Sequence, residues 1–163
     1  MKAQDYRAEI VARVPTHEAF ERIGHVSEWW TKDVTGRSTR VGDTFTVRFG
    51  ETFVDFEVAE LILEQMLVWK VTDCNLHWIE DKKEWKGTSL VWEVFPGAER
   101  TIIRLTHRGL TPGVECYDTC VKGWDFYFGE SLLKLLAQGK GLPQGASAPA
   151  AAKTATVAAE AAS

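Results

Sequence analysis

Residues 117–136 read YDTCVKGWDFYFGESLLKLL. Tyr117, Cys120, Val121, Trp124, Tyr127, Phe128, Ser131, Leu132, Leu135 and Leu136 recur at three- and four-residue steps, so one broad stripe of a long helix must face an apolar partner. Thr111-Pro112-Gly113 precedes the stretch, and Gly139 and Gly141-Leu142-Pro143 follow it. These breakers predict one uninterrupted helix of about 25 residues.

The partner lies upstream, where the hydrophobic period changes to two from Gly42 onward. Phe45, Val47 and Phe49 alternate with Thr44, Thr46 and Arg48, and Val54, Phe56 and Val58 with Asp55 and Glu57. Leu67, Trp69 and Val71 follow, then Leu90, Trp92 and Val94, then Ile103, Leu105 and His107. Such runs are antiparallel strands with one buried face, and Pro96-Gly97 marks a turn between the last two. Ahead of them, Asp5–Val14 reads as an opening strand, THEAFERIG (16–24) as a short helix capped by Thr16, and HVSEWWTK (25–32) as a second. A single long helix on one face of a twisted antiparallel sheet is an α+β layer arrangement. The body spans residues 1–143. Residues 144–163 hold ten Ala and no aromatic ring, have no stripe to bury, and are expected to form a disordered tail.

Composition narrows the function. Hydrophobic residues make up 45% of the 163 and charged residues 26%, enough for a sizeable core. With 19 basic against 23 acidic side chains and no basic cluster among the rings, nucleic acid is not an expected partner. There is no apolar run of membrane-spanning length and no N-terminal apolar leader, so a cytoplasmic protein is expected. Cys74, Cys116 and Cys120 are an odd set without a C-x-x-C pair, read as reduced thiols with no structural disulfide.

Seven Trp, eight Phe and three Tyr are many for this length. They imply either an aromatic core or a hollow lined with rings. Trp29 and Trp30 point about 100° apart if both are helical, which sends one to the centre and one to the rim. Phe45, Phe49, Phe56, Trp69, Trp92, Trp124 and Phe128 fall on inward phases, as core or as ligand-binding wall. His107 ends the inward face of the last strand, where it orients a polar ligand group, acts as acid or base, or serves as a satisfied structural residue. Trp78 and Trp85 lie in NLHWIEDKKEWKGT, whose charges put the connection on the surface; the two rings read as structural or as a cavity lid or partner patch. Cys116 and Cys120 share a helix face; C-x-x-x-C falls short of a metal site and reads as core packing. His17-Glu18-Ala19-Phe20-Glu21 lacks the second His of H-E-x-x-H, Gly139-Lys140-Gly141 is not a P-loop, and no G-x-S-x-G occurs. Asp55 and Glu93 take outward phases. No catalytic residue, metal or cofactor is assigned.

Several words in the chain carry a resemblance: Val26-Ser27-Glu28-Trp29-Trp30, Val41-Gly42-Asp43-Thr44-Phe45, Leu67-Val68-Trp69-Lys70-Val71-Thr72-Asp73, Glu84-Trp85-Lys86-Gly87-Thr88, Leu105-Thr106-His107-Arg108-Gly109-Leu110-Thr111-Pro112, Gly123-Trp124, and Gly139-Lys140-Gly141-Leu142-Pro143. The body resembles the SRPBCC, or START-like, superfamily. Within it the chain is similar to small bacterial proteins related to the C-terminal domain of the activator of the ninety-kilodalton heat-shock chaperone's ATPase. The resemblance implies a helix-grip fold, a curved sheet around the C-terminal helix with two short helices after the first strand. It also implies a cavity that holds a hydrophobic or amphipathic small molecule. A cyclase-, aromatase- or hydrolase-like enzyme using the same cavity, or a chaperone-linked accessory protein, is the alternative. Chaperone contact is not expected, because this chain is too short for the co-chaperone's separate N-terminal domain. A homodimer is compatible with this reading.

Overall fold

The computed structural model describes residues 4–144; the Ala-rich stretch expected as a tail lies, from residue 145, outside the described residues. Its seven strands are β1 (Tyr6–Ala12), β2 (Val34–Gly36), β3 (Thr44–Phe49), β4 (Thr52–Ile62), β5 (Met66–Asn75), β6 (Ser89–Gly97) and β7 (Arg100–Arg108). They form one antiparallel sheet in the order β1-β7-β6-β5-β4-β3-β2. Consecutive strands β1 and β2 therefore lie at opposite edges. The two short helices between them, α1 (Thr16–Gly24) and α2 (Val26–Trp29), bridge that gap. This is the α+β helix-grip architecture, with the C-terminal helix packed against the sheet.

Two bulges shape the sheet. In the β4–β5 ladder Val58 faces Trp69 and Glu60 faces Val68, leaving Ala59 extra; Val71 faces Phe56 and Asp73 faces Asp55, leaving Thr72 extra. A bulge bends its strand and increases the local twist. Each also reverses the alternation. Inward positions run Val54, Phe56, Val58 and then Leu61 on β4; on β5 they run Leu67, Trp69, Val71 and then Cys74.

The long helix is not uniform. It runs as α3 (Tyr117–Phe126), a π-helical turn (Tyr127–Leu132) and α4 (Leu133–Gln138), where an unbroken α-helix was expected. The wider turn buries Tyr127, Phe128, Ser131 and Leu132 together. Gly139, at φ 80°, ends the helix in the left-handed conformation that glycine permits. Tyr6 on β1 donates its hydroxyl to Asp125 Oδ1 at 3.0 Å, tying the sheet edge to α3.

The segment after the helix returns to α2. Ser131 Oγ donates to the Trp29 carbonyl (2.6 Å) and accepts from Leu142 N–H (2.7 Å). Gln144 N–H donates to the Trp30 carbonyl at 2.8 Å, and Lys32 N–H to the Gln144 carbonyl at 2.9 Å. Gly141 is required here, since a Cβ would collide with the Glu28 carbonyl.

Four local expectations are corrected. Pro15, not Thr16, precedes the first helical turn, and Thr16 Oγ1 donates instead to Glu64 Oε1 at 2.6 Å. Gly97 pairs with Arg100, so the β6–β7 turn is Ala98-Glu99 rather than Pro96-Gly97. The three-residue β2 was not foreseen. Cys116 and Cys120 are joined as a disulfide, because side chains four apart on one helical turn are neighbours. Both are fully buried, as packing required, but the inference of compartment from three unpaired thiols loses its premise.

Gly36, at φ +100°, packs against Phe45 and the Thr44 carbonyl where a Cβ has no room; Gly42, at φ +92°, faces open space. Gly36→Ala is expected to cost about 2–4 kcal/mol in urea denaturation and Gly42→Ala about 1 kcal/mol. Equal losses would show that strand approach at Gly36 is not what the glycine serves.

Candidate functional site

The concave side of the grip is filled by one continuous cluster of rings. Phe45 stacks on Phe56 (centroids 5.1 Å apart) and meets Trp69 edge-on at 4.9 Å. Trp69 meets Trp92 at 5.2 Å, and Trp92 meets Phe128 at 5.9 Å. Trp30 lies 5.0 Å from Trp124 and 6.0 Å from Phe49, and Trp29 stacks on Trp30 at 5.4 Å. Offset and edge contacts of this kind add about 0.5–1.5 kcal/mol per pair beyond the buried area. Every sequence-proposed residue from Trp29 to Phe128 thus falls in one connected group, all buried. The rim position expected for one of the adjacent tryptophans is corrected. Trp30 caps α2 and donates its backbone N–H to the Val26 carbonyl, but Phe49, Phe56 and Trp124 close around its ring, so both rings are fully enclosed.

The indole N–H groups divide into two kinds. Trp29 Nε1 donates to the Ile23 carbonyl (3.1 Å), Trp85 Nε1 to Cys116 Sγ (3.4 Å) and Trp124 Nε1 to His107 Nδ1 (3.1 Å). Those of Trp30, Trp69, Trp92 and Trp78 are buried with no acceptor. An unpaired buried donor forfeits about 1–3 kcal/mol of desolvation.

His107 is committed at both nitrogens. Since Nδ1 accepts from Trp124, Nε2 carries the proton and donates to Thr88 Oγ1 at 3.0 Å; that hydroxyl donates to the Trp85 carbonyl at 2.6 Å. Complete burial pushes the imidazole down to about 3, so it is neutral at pH 7. Of the two roles open to His107 in the sequence, the bonding is that of a satisfied structural residue.

The connection carrying Trp85 reads as surface from its charges, but the ring itself is in the core, in keeping with the structural role implied by the Glu84-Trp85 resemblance, stacked 6.1 Å from Trp124 and edge-on to His107 at 4.5 Å. The adjacent Glu84 explains this. Its carboxylate accepts from Glu115 N–H (2.6 Å) and Cys116 N–H (2.9 Å) at the start of α3, and so holds the loop down. Trp78 is half-buried against the core. The exposed apolar patch that a protein-docking role for these two rings required is not formed.

Surface grooves lie at the open end of the grip. One, of about 360 Å³, is lined by Phe20, Glu21, Gly24 and His25 of the α1 side, Ser38 and Thr39, and Leu61, Leu63 and Leu67 around the β4–β5 turn. A second, of about 250 Å³, shares Gly24, His25 and Ser38 with it and reaches Phe45. Leu67 pairs with Trp92 in the strand register. The grooves therefore abut the ring cluster. Sequence reasoning missed Leu61 and Leu63 as a wall because the bulge at Ala59 changes their phase. Asp55 and Glu93 face outward as read, Asp55 accepting from Thr46 Oγ1 and Glu93 lying 3.8 Å from Arg104. Among the described residues no group of three or more His, Cys, Asp or Glu could hold a metal, and no helix is long and apolar enough to cross a membrane.

Comparison with known proteins fixes the architecture. No family description and no curated protein matches the sequence. Among solved structures, the chain is similar to the Aha1 dimer from Colwellia psychrerythraea (TM-score 0.70, 23% identity, 84% of this chain and 98% of that one). The chain shares the helix-grip fold of that structure. It is also similar to DynU16, from the dynemicin biosynthetic locus (TM-score 0.67, 21% identity, 86% of this chain), of which it spans about half the length, 49%. CalU16 from Micromonospora echinospora shares the fold (TM-score 0.59, 12% identity, 96% of this chain and 85% of that one). At these identities the likeness is one of fold.

The depressed His107 pKa links stability to pH. The unfolded imidazole, near 6.5, takes up a proton that the folded one refuses until about 3. The stabilisation from keeping His107 neutral is complete above pH 6.5 and is lost as pH falls toward 3, with a limiting slope of about 1.4 kcal/mol per pH unit. Denaturation from pH 7 to 4 should show this slope, and His107→Gln should lack that contribution while being less stable at pH 7. An identical slope in the variant would remove His107 as its source.

Proposed function

We propose that the protein binds a hydrophobic or amphipathic small molecule, taken up at the open end of the grip and held against the ring cluster. The observation that carries this reading is the apolar groove between α1 and the β4–β5 turn, whose wall residue Leu67 lies beside Trp92. With its neighbour, the groove reaches the size of a small-molecule site. In this reading Phe20, Leu61, Leu63 and Leu67 meet the ligand first. Phe45, Phe56, Trp69, Trp92, Trp30 and Phe49 form the deeper contact, with Trp29, Trp124 and Phe128 behind them. His107 acts through Trp124 and Trp85 and does not touch the ligand. α2 is the lid, a single four-residue turn that carries Trp29 and leads into Trp30.

Binding is preferred to catalysis because both His107 nitrogens are used within the protein and Asp55 and Glu93 lie on the outer face. Burial of ligand apolar surface supplies about 25 cal/mol per Å² before the costs of association. A homodimer is the proposed state, supported by the dimer solved for the Colwellia protein; sedimentation of the full chain reads it directly.

The neutral fluorophore N-phenyl-1-naphthylamine should bind the full chain saturably at one site, with enhanced emission and quenched tryptophan fluorescence. Leu63→Lys alters an exposed groove side chain, so it should leave the melting temperature unchanged and weaken binding about three- to tenfold. Failure of this probe and of a panel of neutral lipophilic compounds to bind would overturn the proposal.

A further inference from the structure

We infer that the open edge of β1 is a self-association surface, and that its partner is β1 of a second copy of this chain, paired antiparallel about a two-fold axis at Ala8. This inference rests on the homodimer proposed above and names the surface that forms it.

The two edges of the sheet are built differently. β2 is three residues long and ends on Gly36, too short to template another strand. β1 runs for seven residues, YRAEIVA, with no proline or glycine, and pairs with β7 from Tyr6 to Ala12 without a bulge. Short strands, bulges and proline are the usual means of closing an edge, and β1 has none of them. Tyr6 N–H donates to the Leu110 carbonyl, on the side of β7. Backbone groups of successive strand residues alternate in direction, so the N–H and C=O of Arg7, Glu9 and Val11 point away from β7. Among the described residues no strand or side chain pairs with them.

The side chains select the partner and its register. Arg7 and Glu9 are exposed on the outer face, two residues apart and of opposite sign. Arg7 has no ion pair among the described residues, and both Arg104 nitrogens that reach Glu9 go to Oε2, leaving Oε1 open. With Ala8 opposite its own copy, Arg7 faces Glu9 of the second copy and Glu9 faces Arg7 of the second copy. These are the residues whose backbone groups point outward, so each pair exchanges two hydrogen bonds. On the inner side the small Ala8 permits close approach at the axis, and Tyr6 lies opposite Ile10.

Other registers lose this match. Moving the axis to Arg7 or to Glu9 sets like charges directly opposite each other. Moving the pairing by a single residue brings outer side chains opposite inner ones. A patch complementary to itself across a two-fold is what a closed dimer requires, and with β2 too short to continue the sheet, association stops at two. One strand pair is a small interface, so the dimer is weak and depends on concentration.

Sedimentation of the full chain should therefore show a monomer–dimer equilibrium. Arg7→Glu and Glu9→Lys each place like charges at both charged pairs and should weaken self-association about tenfold or more. Mixed in equal amounts, the two variants set two acidic side chains on one strand against two basic ones on the other, and should recover association close to that of the wild type. In hydrogen exchange of the wild type, the amides of Arg7 and Glu9 should slow as concentration rises, while that of Ala8, already in the ladder with β7, should not change. Exchange reads the unaltered protein, so it decides even if Glu9→Lys, which gives up the Arg104 pair, is less stable. Dimers of undiminished strength in both variants, or Arg7 and Glu9 amides that stay fast while dimer forms, overturn the inference and leave the homodimer standing. Loss in both variants with no recovery on mixing overturns the strand pairing. A monomer at every concentration overturns both this inference and the homodimer, and leaves the small-molecule function to its own probe.

Discussion

The hydrogen bond from Trp124 to His107 fixes the long helix to the sheet, and much of the interior follows from it. It sets the imidazole tautomer, which directs Nε2–H to Thr88, which in turn holds the Trp85 carbonyl. The Trp85 ring is thereby delivered against Trp124, and Trp124 against Trp30. Each polar atom in this relay has one role and a partner for it, which is how a polar group can lie in a dry core without net penalty. The carboxylate of Glu84 secures the same loop from outside by bonding the backbone at the start of α3. Helix, last strand and loop are thus a single fixed unit. By contrast, α2 is one turn, held by backbone and hydroxyl contacts from segments that follow it.

The curvature that makes the sheet a grip has a specific origin in β4 and β5. Ala59 and Thr72 are the extra residues of two bulges in the same ladder, and each turns the following side chains to the other face. One bulge brings Leu61 to the groove and the other brings Cys74 inward. Without the phase changes, the inner face would end at Val58 and Val71.

The helix-grip order was legible in the sequence because its signals are periodic and long. Five runs of period two and one of period 3.6 outlast the local exceptions, and the ring residues they placed inward are inward. What was lost involves single positions or changes of period. Trp30 was placed by its step from Trp29 alone, whereas Phe49, Phe56 and Trp124, distant in sequence, are what enclose it. Trp85 was hidden by the charges of Glu80–Glu84, although the carboxylate beside it is what holds it in. The π-helical turn left no mark, since Tyr127, Phe128, Ser131 and Leu132 fit an α-helical stripe nearly as well. β2 was too short for any period to show. The hydrogen-bond state of each indole is not written in the chain at all, because it depends on what the fold brings opposite to it.

The bonds that Leu142 and Gln144 make to Ser131 and Trp30 bear on how the domain can be excised. The last helix ends at Gln138, and a fragment cut there would look complete by its secondary structure. It would leave Ser131 Oγ without its Leu142 donor and the Trp30 carbonyl without Gln144, and would strip Gly141 from its seat against Glu28. The smallest unit that keeps Trp29 and Trp30 in place therefore extends six residues beyond the helix, through Gln144.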